Sequence, residues 1–97
     1  MHVGVLEVVL RLEGNCSLKG KRRVVKSLLG RVKARFNVAA AETGRQDTYE
    51  TAVLGFTVCG PDRRVLNTVL DNIVVFIEDN AEAEVADSRL EFDFFFG

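Results

Sequence analysis

The sequence predicts an α+β domain in which one four-stranded antiparallel sheet carries both helices on a single face. Four segments favour strands and two segments of helical spacing separate them, in the order β-α-β-β-α-β. Right-handed crossovers join these halves most simply when the first and third strands are central. This is the ferredoxin-like, split βαβ arrangement. A chain of 97 residues has room for one such domain, 1–97.

The first strand is predicted over residues 2–12, where leucine or valine occupies every second position from Leu6 to Leu12. A helix follows over residues 17–36, with Ser17 as its N-cap. At about 100° per residue, the apolar positions of this helix fall within one narrow arc. They are Val25, Leu28, Leu29, Val32 and Phe36.

The second half of the chain repeats this pattern after a hairpin. A short, alanine-rich strand is expected over 38–43 and a clearer one over 49–59, joined by a turn at 44–47. The segment 60–62 (Gly-Pro-Asp) ends this strand and opens a second helix, since Pro suits a first helical turn, and the helix runs to about Asp79. Its apolar positions are Val65, Leu66, Val69, Ile73, Phe76 and Ile77. The last strand is expected over 84–96, where apolar and acidic residues alternate.

These patterns predict one core between the sheet and the two helices. Its expected members are Leu6, Val8, Leu10, Val25, Leu28, Leu29, Val32, Leu54, Phe56, Val58, Val69, Ile73, Phe76 and Phe92.

Charge is strongly segregated along the chain, although the net charge is only −1. Residues 17–36 hold eight of the thirteen Lys and Arg residues and no acid, whereas the other five cations share the remaining chain with all fourteen acids. One side of the helix carries what we call the basic flank, comprising Lys19, Arg22, Arg23, Lys26 and Lys33. Arg31 and Arg35 lie on the other side of the stripe. A basic helix on an acidic body indicates a polarised surface.

Two interpretations of the basic flank remain open. In one, it is a solvated helix face whose charges pair with the acidic body. In the other, it contacts phosphate or an acidic partner surface, and the turn from Ser17 to Gly20 adds backbone N–H groups at the positive end of the helix dipole. The RNA- or anion-binding residues of this second interpretation are Ser17, Lys19, Arg22, Arg23, Lys26 and Lys33.

No catalytic or metal-binding pattern stands out, so we expect neither an enzyme nor a cofactor. His2 is the only histidine and has no partners at metal-ligand spacing. Cys16 precedes the basic helix, but no second histidine offers a general base. Glu42 and Asp47 flank a hairpin, where edge protection and turn chemistry explain them. Phe56 shares parity with core residues, which disfavours base stacking of the RRM type.

Cysteine usage and hydropathy indicate where the protein works. Cys16 and Cys59 form no framework pattern, so we expect a reducing, cytoplasmic compartment. No signal peptide and no membrane-spanning run are expected.

The face of the sheet without helices is expected to carry exposed apolar residues. They are Val5, Val9, Val53, Thr57 and Phe95. The segment 94–96 also lacks the Lys or Pro that usually protects an edge strand. A homodimer, formed across this face or along the fourth strand, would cover these surfaces.

Several segments resemble the YlxP-like family of small bacterial proteins of unassigned function. They are residues 1–6 (MHVGVL), 17–24 (SLKGKRRV), 35–38 (RFNV), Ala41-Glu42 and Gln46-Asp47. The resemblance implies a ferredoxin-like fold, and the location of the family's genes beside translation-initiation and ribosome-maturation genes hints at RNA or ribosomes. The family tends to have an acid where this chain has Gly20, and that acid would complete a capping box with Ser17.

Two functional hypotheses follow. The first is non-catalytic binding to structured RNA or a ribonucleoprotein through the basic flank. The alternative is a homo-oligomeric interaction domain, or a small-ligand domain, that uses the open sheet face.

Overall fold

The computed structural model describes residues 1–97 and confirms the predicted ferredoxin-like architecture. Its elements are β1 (His2–Arg11), α1 (Leu18–Arg35), β2 (Ala39–Gly44), β3 (Thr51–Gly60), α2 (Arg63–Asn80) and β4 (Glu84–Phe94). The strands form one antiparallel sheet in the order β2-β3-β1-β4. As predicted, β1 and β3 are central and the other two strands are edges.

The hairpin and the last strand differ from their predicted limits. β3 begins at Thr51 instead of residue 49. The pairing of β2 with β3 shifts register between Glu42 and Gly44, and the turn that joins these two strands is wider than predicted. Within this turn Arg45 adopts a positive φ of 55°. β4 ends at Phe94 instead of residue 96, since Phe96, with a φ of 56°, leaves the extended conformation.

Both helices have side-chain N-caps. Ser17 Oγ accepts a hydrogen bond from Gly20 N at 3.0 Å, which confirms the predicted cap of α1. Asp62 Oδ1 accepts from Arg64 N at 2.9 Å at the start of α2. The segment 60–62 therefore opens α2 as predicted, but Pro61 precedes the N-cap and does not lie in the first helical turn.

The core lies between the helices and the even-numbered residues of the two central strands, which are buried from Gly4 to Leu10 and from Ala52 to Val58. Four predicted core residues are only half-buried and pack at its margin: Leu29, Val69, Phe76 and Phe92. The remaining predicted members are buried, and the core also includes Leu12, Ala52, Leu66, Leu70 and Ile77.

The apolar stripe of α2 is rotated from its predicted position. Leu70 is fully buried, whereas Val65 is 57% exposed. The rotation arises because α2 packs against both the sheet and α1. Phe76 meets Phe36 of α1 edge-to-face at 5.8 Å between ring centroids, so it lies at the seam between the helices.

Neither helix combines the length and the apolar character that a membrane crossing requires.

Candidate functional site

The two sides of α1 have different surroundings. On the side facing α2, Arg31 Nη1 donates to the carbonyl oxygen of Asn80 at 2.9 Å. The Arg35 guanidinium lies 5.4 Å from the centroid of the Phe76 ring and 5.9 Å from that of Phe36. Both arginines therefore join α1 to neighbouring groups of the fold.

The basic flank lies on the side of α1 that faces away from α2. All five of its cations are exposed, and none lies within 4.0 Å of a carboxylate oxygen. The three ion pairs of the protein are Arg11–Glu84, Lys21–Glu42 and Arg89–Glu7. The basic flank thus forms no ion pairs with the acidic body. Its interpretation as a helix face whose charges pair with that body was therefore wrong in this respect.

Five of the six predicted RNA- or anion-binding residues line one surface hollow. This hollow of about 550 Å³ is bounded by Ser17, Lys19, Gly20, Arg22, Arg23 and Lys26. It contains no carboxylate, and it opens at the N-terminal end of α1, where the helix dipole is positive. The sixth residue, Lys33, lies about 10 Å further along the axis, seven residues beyond Lys26.

Arg23 connects this hollow to a second one. The second hollow, of about 400 Å³, is lined by Arg23, Val24, Ser27, Arg31 and Glu82. Glu82 marks the point at which the acidic part of the surface begins. The positive surface therefore extends from the start of α1 along its outer side and is limited on the α2 side.

The structure assigns a separate role to Lys21, which sequence reasoning placed on neither flank. Its side chain is 1% exposed, and Nζ donates to the carbonyl oxygens of Arg45 at 2.5 Å and Thr48 at 2.6 Å. Nζ also lies 3.0 Å from Glu42 Oε2, a contact that lacks hydrogen-bond alignment and is best described as an ion pair. Lys21 therefore fastens the β2–β3 turn to the start of α1.

A second side chain holds the same junction. Asn15 Nδ2 donates to the carbonyl oxygens of Ser17 at 2.9 Å and Tyr49 at 2.6 Å. A Cβ atom at position 20 would meet Asn15 Oδ1, so a larger residue there would require the Asn15 side chain to move. With glycine at this position, the first turn of α1 carries no acidic residue.

The remaining candidates lie apart from one another. Cys16 and Cys59 are both exposed, and Asp47 lies in the exposed β2–β3 turn. The His2 ring packs on Phe94 with centroids 4.5 Å apart. Glu42 lies on the edge strand β2 and its carboxylate is paired with Lys21, a contact that the sequence did not predict. Phe56 is fully buried, as its parity predicted.

The predicted oligomer residues occupy odd positions on the sheet face that the helices leave uncovered. Val5 and Thr57 are exposed, Val9 and Val53 are half-buried, and Phe95 extends β4 by pairing with Met1. The structure contains one chain, so the homodimer stays a prediction.

The comparisons with known proteins agree on family and fold. The sequence model of a family described as "Protein of unknown function (DUF503)" matches residues 3–90. The chain is similar to "Uncharacterized protein YlxP" of Bacillus subtilis (strain 168), with 36% identity over 75 residues that cover 77% of this chain and 82% of that protein.

One of two solved structures compared supports the fold, and it supports the fold alone. The structure resembles "De novo designed protein Foldit4" with a TM-score of 0.53 and 16% identity, covering 97% of this chain and 98% of the designed one. "De novo designed protein Ferredog-Diesel" gives a TM-score of 0.46 at 9% identity, covering 92% and 83% of the two chains. On the extent of the family match and the identity to YlxP, the chain belongs to the DUF503, YlxP-like family.

Proposed function

We propose that this protein is a non-catalytic RNA-binding domain whose basic flank contacts the phosphate backbone of a structured RNA, either free or within a ribosome-associated ribonucleoprotein. The observation that supports this proposal is the set of five exposed cations on α1 without any carboxylate partner. Unpaired cations on one helix side repel each other, and a polyanion relieves that repulsion.

The chemistry of the hollow suits phosphate. Arg22 and Arg23 offer planar forks of N–H donors, while Lys19 and Lys26 offer compact positive charges. Ser17 and the first turn of α1 add a hydroxyl and the positive end of the dipole. From Lys19 to Lys33 the flank extends about 21 Å along the helix, which is long enough to follow several consecutive phosphates.

Contacts of this kind predict affinity with little sequence preference. No exposed aromatic residue lies in the hollow to stack on a base, and backbone contacts position a protein without discriminating among sequences. The proposed role is therefore recognition of RNA shape and charge.

The test is a salt titration of binding to an A-form RNA hairpin, measured by fluorescence anisotropy. The logarithm of the association constant should fall linearly with the logarithm of salt concentration. Reversing Arg22, Arg23 and Lys26 to Glu should remove most of the affinity. The slope should fall by about 1 for each phosphate that the protein no longer neutralises.

The control for a single reversal is Arg64→Glu, which makes the same charge change as one of these sites at an exposed arginine in the first turn of α2. It should leave affinity nearly unchanged. An affinity that does not change with salt concentration, or that is unchanged in the triple variant, would contradict the proposal. An acidic polypeptide that binds the flank while the RNA hairpin does not would replace RNA with an acidic protein surface.

A further inference from the structure

The uncovered face of the sheet has two unlike halves. On β2 and β3 its residues are small or medium-sized and uncharged. They are Ala39, Ala41, Thr43, Thr51, Val53, Gly55, Thr57 and Cys59. On β1 and β4 the face carries larger apolar residues beside a charged row. These residues are Val3, Val5, Glu7, Val9, Asp87, Arg89, Glu91 and Asp93.

The small residues create a continuous depression. One hollow of about 390 Å³ is lined by Val3, Ala39, Thr57 and Cys59 together with residues 37, 38 and 58. A second, of about 410 Å³, continues past Gly55 and Ala41 and shares Ala39 and Thr57 with the first. The β2–β3 half is therefore concave.

The other half borders these hollows through Val3, Val5 and Glu7 and is partly apolar. Val5 is 40% exposed, and Met1 and Phe95 are 45% and 42% exposed at the end of the sheet. Phe95 is held there by two hydrogen bonds to Met1, of 2.7 and 2.8 Å. One face thus offers both a ridge and a trough.

We propose that a second copy of this chain covers the face, related by a two-fold axis that runs parallel to the strands between β1 and β3. In the second copy, this axis reverses the order of the strands across the sheet. Each residue keeps its position along the strand direction, which we call its level. β1 of each copy then lies over β3 of the other, and β4 lies over β2. The ridge of one copy enters the trough of the other, as an isologous interface requires.

The pairing register of the strands shows which residues of the two copies would face each other. Ala39, Thr57, Val5 and Glu91 occupy one level across the sheet. The axis therefore places Val5 over Thr57 of the second copy and Glu91 over its Ala39. One level along, the Glu7–Arg89 ion pair, with 2.9 Å between its charged atoms, lies over Gly55 and Ala41 of the second copy. Phe95 reaches the open end of the 390 Å³ hollow.

Charge distribution selects this axis over two alternatives. A two-fold axis perpendicular to the strands would stack each β4 on its own copy and bring Asp87, Glu91 and Asp93 together. Pairing along the β4 edge would also place these rows side by side. The proposed axis places Glu91 over Ala39 and Asp87 over Gly44 of the second copy, on the uncharged open face of β2, so the acidic rows of the two β4 strands stay apart. The two Glu7 side chains share one level beside the axis, and each is paired with Arg89 of its own chain.

The face is large enough to hold a dimer. The four strands have 10, 6, 10 and 11 residues, and at about 3.3 Å per residue and about 4.8 Å between strands they give a face of roughly 590 Å². Two such faces bury about 1,200 Å² together, which reaches the lower limit for stable interfaces. Phe95 extends the contact beyond the end of the sheet.

Sedimentation equilibrium at micromolar concentration tests the proposal on the intact chain. The mass should be twice the chain mass of 10.8 kDa. Phe95→Ala should weaken association about tenfold or more, as loss of a buried aromatic anchor does. Phe96→Ala is the matched control, since Phe96 is 95% exposed and leaves the sheet, and it should not change association. A monomeric parent chain would overturn the proposal, and so would equal effects of the two variants.

A second pair of variants covers the centre of the face. Val5→Glu should give a monomer with an unchanged circular dichroism spectrum, whereas Val75→Glu on the exposed side of α2 should stay dimeric. If Val5→Glu remains a dimer, the interface lies elsewhere.

The axis itself is tested by cross-linking in a background where Cys16 and Cys59 are replaced by Ser. A mixture of Ala39→Cys and Glu91→Cys chains should form a mixed dimer with a short bis-maleimide. Glu91→Cys alone should not cross-link. Efficient cross-linking of Glu91→Cys chains to each other would show that β4 of one copy lies against β4 of the other. This result would contradict the proposed axis.

Discussion

The two sides of α1 carry the same residue types but have different partners. Arg31 and Arg35, on the side facing α2, contact a carbonyl oxygen and two aromatic rings of the fold. The five cations of the basic flank contact no carboxylate at all. Charge composition alone does not separate these cases, whereas the presence or absence of an intramolecular partner does. The unpartnered side is therefore the one available to a ligand.

Lys21 adds a third environment on the same helix. It lies on the core side, where two carbonyl oxygens and a carboxylate surround its ammonium group. Its charge serves the fold by joining α1 to the β2–β3 turn. One helix thus holds cations that stabilise the structure and cations that are free, and substitution can distinguish them.

The largest effect is expected at Lys21. Lys21→Ala removes the partner of Glu42 and leaves two carbonyl oxygens without their donor, so the free energy of unfolding should fall by about 3–5 kcal/mol. Chemical denaturation measures the change. Lys19→Ala, at an exposed lysine in the first turn of α1, should stay within about 0.5 kcal/mol of the parent. Equal midpoints for the two variants would show that the Lys21 contacts do not stabilise the fold.

The apolar side of α1 gives the next effect. Leu28 is fully buried, and Leu28→Ala should lower the free energy of unfolding by about 2–5 kcal/mol, because apolar burial is reduced and a cavity remains. Leu29→Ala should cost less, because Leu29 is only half-buried at the margin of the core. A larger decrease at Leu29 than at Leu28 in thermal unfolding would mean that the helix is rotated.

The smallest effect on stability is expected on the basic flank, and it has the opposite sign. Arg22→Glu replaces a repulsive pair with Lys26 by an attractive Glu-to-Lys pair at i,i+4, and it places an acid in the N-terminal part of α1. Stability should rise by about 0.3–0.5 kcal/mol at low salt and less at high salt. A clear decrease in stability would show that Arg22 has a structural role.

Much of the fold could be predicted because it depends on periodicity. The alternation in β1 and β3 identified the buried face, and the spacing in α1 identified Val25, Leu28 and Val32. In α2 the stripe was placed toward Val65 instead of Leu70, because one helix packs on two neighbours and the apolar arc of the sequence covers both contacts. Periodicity reports that a helix side is apolar, but not which neighbour it meets.

The candidate site could be predicted only in part. The basic flank is visible as a run of cations, and the structure brings five of the six predicted residues to one hollow. The role of Lys21 depends on carbonyl oxygens 24 and 27 residues away, which no local pattern reveals. One signal was present, since Lys21 falls within the apolar arc of α1. The trough on the open face was also missed, because it is defined by the small size of Ala39, Gly55 and their neighbours across two strands.

The central claim is that the basic flank serves a ligand while the α2-facing arginines serve the fold. The most direct measurement compares Arg22→Glu with Arg35→Glu, which change the net charge equally, for stability and for affinity to the same A-form RNA hairpin. The account predicts that Arg22→Glu weakens affinity about tenfold without reducing stability. Arg35→Glu should reduce stability and keep its affinity within about threefold. Equal decreases in affinity would show that binding depends on net charge alone, and this result would contradict the claim.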